Sequence, residues 1–126
     1  MTHYLYISGP ITNDPDYMQK FQDCEDWIRR HTKYEPVNPS KDVPWILRSD
    51  GIENPTHNDY MRVSINLLTE YPNTSIVMLP DWQISNGAKF EYNTSYFLNY
   101  KSYFFNQKDI GIMDLGIKDL PKEMMK

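Results

Sequence analysis

Cysteine is almost absent from this chain of 126 residues: Cys24 is the only one. A single thiol excludes an internal disulfide and makes a reducing compartment the expected setting. Set among Phe21, Trp27 and Ile28, Cys24 is expected as a buried helix position rather than a reactive thiol. Long apolar runs are also missing. None approaches the roughly 18 residues that a membrane-spanning helix needs, and no charged-then-apolar leader opens the chain. The expectation is a cytoplasmic protein with no membrane partner. Positive charge is scarce, with 13 Lys and Arg against 17 Asp and Glu and a formal net charge of −4. Without a basic stripe to displace counterions, stable nucleic-acid binding is not expected. A small anion held by backbone N–H groups at a helix N-terminus stays open. His3, His31 and His57 show no metal-ligand spacing, so no metal site is expected.

Aromatic residues are plentiful instead, with ten Tyr, five Phe and three Trp making 14% of the chain. Tyrosine combines apolar area with a polar tip, which suits a binding pocket or a subunit interface. The length fits one domain, 1–126, with a single real core.

Tyr4 to Ser8 reads as a short buried strand. From about Asp16 to Arg30, Met18, Phe21, Cys24 and Ile28 form a helical stripe, with Asp14 or Asp16 available as a cap. Tyr34 to Val37 reads as a second strand. The stretch from Ser40 to Thr56, with Pro44, Gly51 and Pro55, reads as a long lid-like loop. A second helix is predicted from about Asn58 to Glu70, with Met61, Ile65 and Leu68 on one face. Ser75 to Leu79 is the most apolar run and the expected central strand. A third helix is predicted to reach about Tyr100, followed by a strand from Ser102 to Phe105. The tail, 109–126, has too weak an alternation to place. Strand–helix alternation predicts a single α/β domain of flavodoxin- or Rossmann-like kind. Its small parallel sheet, of about four or five strands, is flanked by helices in three layers.

Such folds bind ligands outside the carboxyl ends of their strands. Two glycine-bearing turns fall there, "SGP" after the first strand and "SNGA" after the central one. Gly9 is therefore expected to clear space at the ligand edge. Glu91 follows Gly87 by four residues, where the helix dipole and free N–H groups favour an ionised carboxylate. Such a group can serve as a nucleophile, or it can simply complement the dipole.

"YISGPIT", then "PVNPS" about thirty residues later, then "IVMLPDWQISNGAKFE" resembles the nucleoside 2-deoxyribosyltransferase-like superfamily, most of all its small phage and bacterial branch. The resemblance covers roughly residues 4 to 100. It implies enzymes that transfer deoxyribose between bases or hydrolyse the N-glycosidic bond of nucleoside 5′-monophosphates, with no cofactor. Carried over, Glu91 is the nucleophile and Tyr6 the strand-end residue that orients it. Ser8, Gly9, Pro10 and Ile11 lie near sugar and base. Asp81 and Trp82 line the pocket, and Ser85, Gly87 and Ala88 form the helix start that contacts phosphate in the monophosphate hydrolases. The pattern departs at Ser64 and Thr74, where relatives carry Asp, and at Asp81, where they carry Gly; Asp59 or Asp81 are the replacements on hand.

Two functions follow as expectations. One is an N-glycosidase or deoxyribosyltransferase working through a glycosyl-Glu91 intermediate. The other is a non-catalytic protein that binds a nucleotide or nucleotide-derived signal. The aromatic run "EYNTSYFLNYKSYFF" is expected to form a subunit interface in a homo-oligomer, a dimer or higher.

Overall fold

In the computed structural model, residues 1–108, 110–112 and 120–126 are described. Five strands, β1 (Tyr4–Ser8), β2 (Glu35–Val37), β3 (Thr74–Met78), β4 (Ser102–Phe105) and β5 (Ile110–Ile112), form one sheet in the order β2-β1-β3-β4-β5. The first four run parallel, and β5 adds an antiparallel edge. The α/β three-layer expectation thus holds. Of the tail, residues 110–112 form β5 and 122–124 a short 3-10 turn, while 109 and 113–119 lie outside the described residues.

One helix, α1 (Tyr17–His31), covers one sheet face. Its Phe21, Cys24 and Ile28 pack with Leu5, Ile7, Val77 and Tyr103. Cys24 is fully buried, as its apolar neighbours imply. The other face carries α2 (Pro39–Ser49), α3 (His57–Thr69) and α4 (Asn86–Phe97) over Tyr6, Val37, Ile76 and Met78. The chain turns from β2 back across β1 to β3, so the strand order reverses at the β1/β3 boundary. Parallel α/β sheets leave a crevice at that reversal, beyond the strand carboxyl ends.

Three elements depart from expectation. The stretch 40–56 is not a loop throughout, because α2 occupies most of it. Asn38 caps that helix by accepting from the Ser40 N–H at 3.0 Å, and Pro39 fits the first turn, where no donor is needed. The helix runs on through Pro44 because Val43 and Leu47, four residues apart, are buried against the sheet. Tertiary burial here outweighs the break a proline normally makes. On α3 the buried stripe is Val63, Ser64, Leu67 and Leu68. Met61 faces a cleft instead, and Ile65 is half-buried. A capping box between Thr56 and Asp59 starts α3. Finally, α4 stops at Phe97 because Asn99 takes a left-handed backbone, φ 60°, which ends the helix before Tyr100.

Gly9 has a packing task besides its place at the cleft. A Cβ built there would lie 2.7 Å from the Leu79 Cβ, so the absent side chain makes room for Leu79. Leu79 is itself buried, and its N–H donates to the Ser8 carbonyl at 2.8 Å, which draws the ends of β1 and β3 together. Gly9→Ala should therefore destabilise the fold by about 1–3 kcal/mol, the usual cost of overpacking. Urea unfolding of both proteins checks this, and a change below about 0.5 kcal/mol would contradict it.

Candidate active site

Side chains two apart on a strand point to one face. Tyr6 and Ser8 of β1 therefore both project toward the α4 side, where Glu91 stands one and a half turns into its helix. The Ser8 hydroxyl donates to Glu91 Oε1 at 2.7 Å, and the Tyr6 hydroxyl donates to Oε2. All three residues are buried, with Glu91 6% exposed. That residual exposure opens on a cleft of about 1020 Å³.

The cleft is walled by the loop after β1 (Gly9 to Asp14), by Pro55 to His57 with Tyr60 and Met61 of α3, and by Asp81 and Ile84 to Ala88. It brings together Gly9, Pro10, Ile11, Asp81, Ser85, Gly87, Ala88 and Glu91 as expected. Trp82 is not in the wall: its ring packs on Tyr92 with centroids 4.9 Å apart. Tyr6 and Ser8 reach the cleft only through Glu91. Of the former loop 40–56, only Pro55 and Thr56 touch it.

Glu91 is not held ionised by the helix dipole. The free N–H groups belong to the first turn, and Glu91 is the sixth residue of α4. Burial dominates and pushes its carboxyl up to about 7, against the pull of the two hydroxyl donors. Ionising it in the fold thus costs about 3 kcal/mol more than in the unfolded chain. Because the folded value lies above the ordinary one, protonated Glu91 favours the fold. That contribution is complete below about pH 4.5 and is lost as pH rises through about 7. Tyr6 is raised well above its ordinary value, first by burial and then by Glu91, so it stays a neutral donor.

The α4 N-terminus meets the cleft at Ser85, whose hydroxyl accepts from the Ala88 N–H at 3.2 Å. The Asn86 and Gly87 N–H groups have no acceptor within a helix start of this kind and can receive an anion. Lys20 lines the same cleft but is paired with Asp14 at 2.8 Å. Asp81 has φ 65°, a conformation that glycine adopts freely and that Asp tolerates better than most residues. Of the two candidate replacement acids, only Asp81 is in the wall; Asp59 is engaged by the Thr56 N–H at 2.9 Å.

Ser64 lies beneath the pair, its carbonyl 3.4 Å from the Tyr6 hydroxyl, whose one proton goes to Glu91. Its own hydroxyl is buried without a partner among the described residues. Thr74 sits at the opposite end of β3 and donates to the Tyr71 carbonyl at 3.0 Å, away from the cleft. Sequence reading missed Tyr60, Met61 and His57. The Thr56–Asp59 capping box was the available signal, since it begins a helix whose first turns lie at this cleft.

Among the described residues no helix is long and apolar enough to cross a membrane, and no cluster of side chains fits a metal ion. No match was found among curated proteins or among solved structures. The family described as "Domain of unknown function (DUF4406)" matches residues 3–101, so the chain belongs to that family.

Proposed function

We propose that this protein cleaves or exchanges the N-glycosidic bond of a nucleoside or nucleoside 5′-monophosphate, as an N-glycosidase or 2-deoxyribosyltransferase. The observation that carries the reading is Glu91, a buried carboxyl at a cleft, with one oxygen held by Tyr6 and the other by Ser8. A nucleophile must be aimed before it attacks, and two hydroxyl donors on one strand fix this carboxylate in place.

In the proposed reaction a Glu91 oxygen bonds to the anomeric carbon through an oxocarbenium-like transition state. The bond to the base breaks, and the base leaves with the electron pair and takes up a proton. Of the two aspartates in the wall, Asp14 is paired with Lys20, and Asp81 is the one assigned to that proton. Water, giving up a proton to Asp81, or the ring nitrogen of a second base then bonds to the anomeric carbon, displaces Glu91 and restores the carboxylate. The Ser85–Gly87 helix start suits the 5′ end of the ligand, as phosphate or hydroxyl.

A binding protein without turnover is the second reading, and the same site favours it in one respect. At neutral pH a group raised to about 7 is only partly ionised, and Ser64 brings no acid to the pair. Incubation with nucleosides and 5′-monophosphates, followed by chromatography for free base, separates the two. Base release is expected, and Glu91→Gln should lower its rate at least about a hundredfold while ligand affinity is kept. Activity within a few-fold of wild type would remove Glu91 as nucleophile. Binding without release would leave the second reading.

We further infer that copies of the chain associate through α4. Phe90, Tyr96 and Phe97 stand out from it, the last 82% exposed, whereas Tyr92 and Tyr100 pack inward. Light scattering at tens of micromolar should give at least a dimer, and Tyr96→Glu should weaken it by burying an unpaired carboxylate. A monomer would exclude this face as an interface.

A further inference from the structure

Tyr60 has no role in the chemistry above, yet it shares the cleft with Glu91. The capping box fixes the start of α3, and the Tyr60 N–H closes its first turn on the Thr56 carbonyl at 3.1 Å. The phenol donates to the Pro39 carbonyl at 3.5 Å, the outer limit of a hydrogen bond. A hydroxyl has one donor and two acceptor sites, and among the described residues most of this one's capacity is left for a ligand. Burial, and after it the charge on Glu91, raise the Tyr60 phenol, and Tyr60 acts in turn on Tyr6. The three groups thus share one electrostatic neighbourhood, in which Tyr60 is a neutral hydroxyl.

Stereochemistry says which part of a ligand it meets, on the reading that Glu91 attacks the anomeric carbon. In a β-nucleoside the carboxylate approaches the sugar face opposite the base. The 2′-hydroxyl of ribose projects from that same face, one carbon from the reacting centre. Hydrogen bonds at this position strengthen as the transition state forms.

We propose that Tyr60, a residue of the cleft wall it shares with Glu91, reads the 2′ position of the sugar through its hydroxyl and makes the cleft select ribosides over 2′-deoxyribosides, which of the two activities above keeps the N-glycosidase. A riboside gives that hydroxyl a full partner. A deoxyriboside leaves it only the long bond to Pro39 and closes an apolar carbon over it. Sites built to pair a substrate hydroxyl reject the analogue that lacks it, because the buried polar group is left unmatched.

The test compares matched pairs, such as adenosine and 2′-deoxyadenosine or their 5′-monophosphates, on wild type and Tyr60→Phe. Phenylalanine keeps the ring and removes only the hydroxyl. Wild type should favour the riboside at least about tenfold in kcat/KM, and the variant should bring that ratio to within about twofold of unity. If the ligands bind without base release, the same ratio is read on Kd. Base release or binding with a ratio that Tyr60→Phe leaves unmoved would overturn the assignment of Tyr60 and leave the Glu91 reading intact. Neither release nor calorimetric binding of any pair would overturn both. Should the variant not fold, wild type decides alone, since an equal or reversed preference overturns the proposal.

Discussion

The structure turns on one buried acid. Glu91 is removed from water and would be costly to ionise alone, so it needs hydroxyl donors to be aimed at all. Tyr6 and Ser8 supply them because a strand places residues two apart on the same face. Their strand must then lie beside β3, whose loop leads into α4. The strand order, with its reversal between β1 and β3, meets that requirement. Even Gly9 serves it, since without a side chain there Leu79 can pack where the two strands end.

The same burial sets the chemical character of the site. An exposed glutamate is a weak, fully hydrated nucleophile at neutral pH. A desolvated one is more easily protonated, yet each ionised copy faces the cleft with little water to displace. Tyr6 and Ser8 act on that balance in the opposite direction from burial, and burial prevails. The buried Ser64 hydroxyl beneath Tyr6 and the neutral Tyr60 beside the pair make the surroundings polar without adding charge.

Much of this was legible in the residues. "YLYIS" and "SIVML" announce buried parallel strands by apolar content alone, and alternation with helices gives the layers. Glu91, Tyr6 and the Ser85 helix start were singled out by the family resemblance of the motifs that hold them, not by spacing or composition. Three things were not legible. Pro44 reads as a breaker, and only the burial of Val43 and Leu47 keeps α2 intact around it. On α3 Leu68 is buried as its spacing implies, but Met61 was placed on the same face, which hid its position with Tyr60 on the cleft. The direction of the shift at Glu91 depends on solvent exclusion by residues distant in sequence, which local dipole reasoning does not see.

The central claim is that Glu91 is desolvated in the free protein, and carboxyl carbon NMR of the labelled chain reads it directly. Following the Glu91 resonance from pH 3 to 9, with Glu91→Gln to assign it, should give a midpoint at about 7. A midpoint at or below 4.5, the ordinary value, would contradict the account, because the carboxylate would then be solvated or held by a cation rather than aimed by two neutral hydroxyls in a dry wall.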